Sequence, residues 1–218
     1  MHEVSLGGML TDYLSGESIE ETTYEEFRQA LAKFLVEEKG FPKGSLRAKV
    51  PLVFQIDGQD TGRHIDLVAY DTSDGSDPSD VPDGSAAPGS AGRPLMLVIF
   101  CAGDVGSFER ETVSCARLFP GGPVPVAIAS DSIGASVLDT ATGDPLSHPV
   151  NKATGVRAIP TWDELRALVA ASDARTGRKP LSEERRRKEQ RILHAYNGFL
   201  YGTCCSESCR VPPKAGDS

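Results

Sequence analysis

Residues 63–70, Arg63-His64-Ile65-Asp66-Leu67-Val68-Ala69-Tyr70, decide how this chain is read. Ile65, Leu67 and Ala69 alternate with His64, Asp66 and Val68, the period of a strand. A carboxylate set among apolar strand residues costs free energy unless it is paired or binds a cation, so Asp66 is the first candidate functional residue. Immediately upstream, Leu46–Ile56 alternates through Val50, Leu52, Phe54 and Ile56, and Asp57-Gly58 between the two runs is a hairpin turn signal. Downstream, Leu95-Met96-Leu97-Val98-Ile99-Phe100-Cys101 is continuously apolar, as a central buried strand should be.

N-terminal to these strands, Phe27, Leu31, Phe34 and Leu35 share one helical face and predict a helix over about Tyr24–Lys39. Thr22 is placed to cap it and Glu25 to close a capping box, and Gly40-Phe41-Pro42 stops it. Beyond the apolar strand come a predicted helix over Ser107–Phe119, a buried strand over Pro123–Ser130 and a short strand over Ala135–Asp139. Two further helices are expected, Thr161–Ala171, with a capping box from Thr161 to Glu164, and Ser182 to about Gly198. Residues 1–23 read as a polar lead-in. The expected fold is an α/β layered domain with an α-β-β-β-α-β core, a mixed sheet and C-terminal helices. Residues 1–160 form the α/β domain, 161–203 a helical extension and 204–218 a cysteine-containing tail.

Asp, Ser, Gly and Pro make up 18 of the 24 residues from 71 to 94. Such a stretch buries too little apolar surface to offset its ordering entropy, and is expected to be a disordered insertion between two strands. Its Asp residues recur every third position, but a calcium loop wants ligands two apart and a bidentate Glu, which is missing. The insertion carries −4 of the formal net charge of −8. The remainder argues neither for nor against nucleic acid. At 218 residues and 39% hydrophobic the chain can bury a core, and no apolar run is long enough to span a membrane. The N-terminus lacks a basic region followed by an apolar stretch, so the expected compartment is the cytoplasm. Five cysteines, sparse and odd in number, speak against a disulfide scaffold.

Phosphodiester hydrolysis uses carboxylates to hold Mg²⁺ and a lysine to steady the attacking water, and neighbouring strand ends are a rigid place to converge them. In this light, four segments resemble the N-terminal domain of type I restriction enzyme R proteins, of the PD-(D/E)XK nuclease-like family. They are Glu25-Glu26-Phe27-Arg28-Gln29, Phe34 to Pro42, Arg63 to Val68 and Pro94 to Cys101. The resemblance spans about residues 12–146 and implies a restriction-endonuclease-like fold. It also implies that Glu25 matches the helix acid and Asp66 the Mg²⁺-binding acid. The acid-x-Lys pair falls on Ile99 and Cys101, which supply neither a hard oxygen ligand nor a fixed positive charge. Glu109, Arg110 and Glu111 at the start of the next helix, or Lys49 on the first strand, are the possible substitutes. No G-x4-G-K-[ST] occurs in these residues, so a complete motor-bearing restriction subunit is not expected.

The expected function is therefore DNA-related: a stand-alone module of nuclease fold with impaired catalysis, acting alone, as a homo-oligomer or with a protein partner. The first alternative is a Mg²⁺-dependent DNA endonuclease with a rearranged site. The second is a zinc or iron–sulfur protein using Cys204, Cys205 and Cys209, with Cys101 or Cys115 as an outside ligand. Three bland readings stand beside these. Asp66 pairs with Arg63 or an amide, Glu25 only closes its capping box, and the Arg185-Arg186-Arg187-Lys188 run is a solvated helix face. His64, His148 and His194 are isolated and lack ligand spacing.

Overall fold

A computed structural model of the chain describes residues 3–56, 59–71, 92–101, 104–131, 133–146, 155–177 and 179–199. A hairpin comes first, β1 (Ser5–Thr11) and β2 (Ser18–Thr22), and leads directly into helix α1 (Thr23–Glu37). Then follow β3 (Leu46–Ile56), β4 (Gln59–Tyr70), β5 (Pro94–Phe100), α2 (Glu109–Leu118), β6 (Val126–Ser130), β7 (Ala135–Asp139), α3 (Trp162–Thr176) and α4 (Glu183–Phe199). The strands β3 to β7 lie side by side in chain order in one mixed sheet. Among the described strands only β5 and β6 pair in parallel. A parallel pair needs a crossover, and α2 supplies it. The fold class expected from sequence is thus present: a mixed α/β domain with the α-β-β-β-α-β order and C-terminal helices.

The helices cover both faces of the sheet. On one face Leu31 and Leu35 of α1 and Leu165 and Val169 of α3 pack with Leu67, Met96, Val98 and Ile128. On the other, Val113 and Ala116 of α2 and Leu193 of α4 pack with Ile65, Leu97, Ile99 and Ala127. The run 95–99 is fully buried because it is sandwiched from both sides, which is why it reads as continuous rather than alternating.

The hairpin β3–β4 does something simple alternation does not anticipate. Leu46 and Ala48 pack on the α1–α3 face, whereas Val50, Leu52 and Phe54 pack on the α2–α4 face. Strict period two would keep all five on one side. The switch occurs at Lys49, whose φ of 52° lies in the left-handed region, and it is the only described non-glycine residue there. On β4 the same change falls between Ile65 and Leu67. The flanking pairs Ala48–Leu67 and Val50–Ile65 set Lys49 opposite Asp66, so both strands turn over at the candidate carboxylate.

Several sequence expectations need correction. Residues 1–23 are not a lead-in but contain the β1–β2 hairpin, mostly exposed and therefore without an apolar signature. The predicted helix over 107–119 begins as a 3-10 turn at Val105–Phe108 and is α-helical only from Glu109. The strand predicted from Pro123 starts at Val126. Helix α3 runs past Ala171 to Thr176, ending on Gly177 with a left-handed φ of 60°. The Asp57-Gly58 turn, residues 72–91 and the tail with Cys204, Cys205 and Cys209 lie outside the described residues, as does His148. The stem of the insertion is described: the Asp71 N–H donates to the Arg93 carbonyl at 2.8 Å. Among the described residues no helix is long and apolar enough to cross a membrane.

Candidate functional site

Two capping sites explain what Glu25 does. At α3 the box closes: the Thr161 side chain accepts the Glu164 N–H and the Glu164 carboxylate accepts the Thr161 N–H. At α1 only the first half forms, with Thr22 Oγ1 accepting the Glu25 N–H at 3.1 Å. The Glu25 carboxylate is turned inward instead. Its Oε2 accepts Arg28 Nε at 2.7 Å, and the Lys49 ammonium stands on Oε1 as an ion pair without hydrogen-bond alignment. Arg28, itself buried, also holds Asp12 in the β1–β2 turn. Asp12 further accepts the N–H groups of Leu14 and Ser15 at 2.7 and 2.8 Å and Gln29 Nε2 at 3.1 Å. Burial works to raise the Asp12 pKa, but the Ser15 N–H and the Arg28 guanidinium outweigh it and hold it below the ordinary carboxylate value.

Asp66 lies where the β4–β5 ladder ends. The last paired residues are Leu67 and Val98, and beyond them Asp66 Oδ2 accepts the Phe100 N–H at 2.7 Å in place of a strand partner. Its Oδ1 accepts the Tyr24 hydroxyl from α1, also at 2.7 Å. Arg63 Nη2 is 3.8 Å away, and Arg63 is ion-paired with Glu111, which has no solvent exposure. Burial raises the Asp66 pKa above the ordinary carboxylate value despite Arg63 and the two donors. Burial, reinforced by the Asp66 charge, pushes Tyr24 well up, so its hydroxyl keeps its proton. A chain of polar groups, Glu111, Arg63, Asp66, Tyr24, thus threads the end of the sheet. The Lys49 ammonium sits 5.5 Å from the centre of the Tyr24 ring, joining this chain to the Glu25–Arg28–Asp12 cluster. Lys49 is half-exposed, so it brings the cluster to solvent.

The structure therefore brings Glu25, Lys49 and Asp66 together, with Glu111 reaching them through Arg63. Glu109 is engaged elsewhere, accepting the Ser136 hydroxyl, and Arg110 pairs with Glu189 at 2.8 Å. Ile99 packs on the α2–α4 face, and Cys101 packs with Phe108 and Ala129. The β5 side chains on the α1 face are Met96, Val98 and Phe100, and the Phe100 ring meets Tyr24 and Phe27 edge-on at 5.8 and 5.0 Å. Sequence reasoning missed Tyr24, Asp12 and the Phe100 amide. For Asp12 a signal existed: Asp12-Tyr13-Leu14-Ser15-Gly16 is the composition of an Asp-capped turn. Among the described residues no group of three or more His, Cys, Asp or Glu side chains could hold a metal ion. Burial pushes the Cys101 thiol up to about 12 and the Cys115 thiol higher still. Both should resist a maleimide in the folded chain and react only on unfolding, which mass spectrometry of labelled protein will show.

The two aspartates predict opposite pH responses. Asp66, with its folded pKa raised, costs stability at neutral pH, and that cost fades as pH falls through the raised value towards the ordinary one. Asp66→Asn keeps an acceptor for Phe100 and a partner for Tyr24, so it should be more stable than wild type at pH 7. The gain should vanish below the ordinary carboxylate pKa. Asp12, with its pKa lowered, contributes stability above its unfolded pKa and loses it as pH falls through the folded one. Asp12→Asn should therefore cost most at pH 7 and least in acid. Melting curves of both variants from pH 3 to 7 check the crossing.

The type I restriction enzyme R protein N terminus family model matches residues 23–160. That is more than half of the chain, and the chain belongs to this family. The match opens at the first residue of α1 and closes just before the α3 cap. The β1–β2 hairpin with Asp12, and α3 and α4, lie outside it. No curated protein and no solved structure matches the chain.

Proposed function

We propose that this chain is a DNA-engaging module of restriction-endonuclease-like fold that has lost efficient hydrolysis. The observation that carries this reading is the state of Asp66. Both of its oxygens accept hydrogen bonds from the protein, it is buried, and the β5 residues on its side are Val98 and Phe100. A Mg²⁺ ion needs six oxygen ligands, usually one or two carboxylates with water and phosphate completing the set. Here Glu25 is matched by Arg28 and Lys49, and Glu111 by Arg63. Each acid already has a protein cation, and this donor set does not fit Mg²⁺.

Engagement of DNA is supported by the family and by the exposed basic residues of α4, Arg185, Arg186, Arg187, Lys188 and Arg191. With an overall charge of −8, binding to phosphates would be confined to such a local face. A second reading, an endonuclease with a rearranged site, is favoured by Lys49. A lysine held at left-handed φ, with its ammonium on Glu25 and its backbone opposite Asp66, is the kind of local strain that functional sites store.

Two measurements on the full chain test these readings. Anisotropy of a labelled duplex should show binding that weakens with salt. Lys188→Gln with Arg191→Gln should make the dependence of log affinity on log salt shallower, by about 0.9 for each phosphate no longer neutralised. Plasmid incubated with Mg²⁺ or Mn²⁺ should stay intact. Nicking that disappears in Asp66→Ala overturns the first reading, and its disappearance in Lys49→Gln as well establishes the second. Absence of any duplex binding overturns both.

A further inference from the structure

Arg93, Arg117, Lys179 and Arg185 line one cleft of about 520 Å³, and Asp173 is the only acid among its described walls. It lies between the end of α3, the start of α4, the turn after α2 and the end of β7. Arg93 precedes β5, whereas Asp66 is held at Phe100 at the other end of that strand. Seven residues of strand, about 20 Å, separate the two places.

The cations of this cleft are not balanced. Arg93 is fully used by Asp173, with two bonds of 2.6 Å. Arg117 shares Glu189 with Arg110, at 2.9 and 2.8 Å, so one carboxylate serves two guanidiniums. Among the described residues neither Arg185, which reaches the Ala141 carbonyl at 3.2 Å, nor Lys179 has a carboxylate partner. Burial lowers the pKa of Arg117, and the nearby charges of Arg185 and Arg110 add to the effect, the mark of crowded positive charge. Thr140, 2% exposed, lines the same cleft, and its hydroxyl has no hydrogen-bond partner among the described residues. The first turn of the 17-residue helix α4 borders it through Ser182 and Arg185, while Glu183 and Glu184 of that turn are not among its walls. Pro123, Pro125 and Leu181 add apolar lining to the same cleft.

We propose that this cleft binds a phosphorylated small molecule of nucleotide size, its phosphates on Lys179, Arg185 and Arg117 and its ring against the apolar lining. The volume falls in the range of small-molecule sites, and a concave pocket with apolar lining suits a single ring better than a duplex backbone. This site shares Arg185 with the basic face of α4 but uses neither Lys188 nor Arg191, and those two residues separate it from the DNA reading.

Calorimetry and thermal melting of the full chain with ADP, inorganic pyrophosphate and adenosine provide the test. ADP should bind and raise the melting temperature, pyrophosphate should bind more weakly, and adenosine should not bind. Lys179→Gln with Arg185→Gln changes two exposed side chains, should leave the ligand-free melting temperature unchanged, and should weaken ADP by about tenfold or more because two charge-assisted hydrogen bonds are removed. Lys188→Gln with Arg191→Gln should leave ADP binding intact. No binding of ADP by wild type, or equal binding by the Lys179 and Arg185 variant, overturns the proposal. Pyrophosphate binding as tightly as ADP overturns the nucleotide-sized ligand, and displacement of ADP by duplex DNA overturns the small-molecule assignment.

Discussion

Replacing Arg28 by methionine is expected to destabilise the fold by about 3–5 kcal/mol, the cost of leaving buried carboxylates without their cation. Arg28 is 1% exposed and stands between Asp12 and Glu25, themselves 7% and 2% exposed. Without it, Glu25 keeps only the solvent-facing Lys49, and Asp12 keeps backbone amides and Gln29. At roughly 2–4 °C per kcal/mol for a chain of this size, the melting temperature should drop by about 6–20 °C. Lysine at 28 should recover only part, because it lacks the planar fork that faces two carboxylates at once. The triple change Asp12→Asn, Glu25→Gln, Arg28→Met removes all three charges together and should restore most of the stability. Urea unfolding measures each variant. An Arg28→Met chain within about 1 kcal/mol of wild type would show that the cluster is hydrated rather than dry.

The second large effect concerns the strand that carries the family motif positions. Ile99→Glu with Cys101→Lys would rewrite an acid-x-Lys pair onto β5, yet the double variant is expected not to fold, and to show no Mg²⁺-dependent nicking. Ile99 is fully buried among Leu97, Val113 and Ala127 on the α2–α4 face, and Cys101 is 3% exposed beside Phe108. Ile99 lies on the opposite face from Val98 and Phe100, where Arg63 is already ion-paired with Glu111, and a further buried carboxylate without a cation of its own costs more than a domain of this size has to spare. Circular dichroism and size-exclusion of the purified variant give the answer directly. A folded variant that nicks plasmid would show that β5 can shift its register by one residue and present both new side chains beside Asp66.

How much of this was legible in advance follows from where the signals lie. The apolar run 95–101, the alternation around Asp66 and the stripe of α1 are burial patterns, and burial writes itself into sequence. The hairpin before α1 is exposed and carries no such pattern, so its Asp12 was invisible as the partner of Arg28. Glu25 and Asp66 were found because an acid in an apolar or capping context stands out, and their meeting through Tyr24 and Lys49 needed coordinates. The face on which Ile99 lies was the harder matter. Period two assigns faces only relative to a neighbour, and the turnover of β3 and β4 at Lys49 and Asp66 breaks the count between the strands.

The short stem that joins β4 to β5 governs how this domain can be altered. Asp71 and Arg93 are tied backbone to backbone, Arg93 is clamped by Asp173 on α3, and Gly92 admits no side chain because a Cβ there would collide with the Asp71 carbonyl. The two ends of the segment 72–91 are thereby fixed at one spacing, whatever its length. Closing a loop across a fixed gap costs only about 0.6 kcal/mol more for each doubling of its length. The stem therefore works as a docking port in the chain: a reporter peptide or affinity tag spliced between residues 72 and 91 is expected to leave the melting temperature of the sheet within a few degrees, provided Asp71, Gly92 and Arg93 are left as they are.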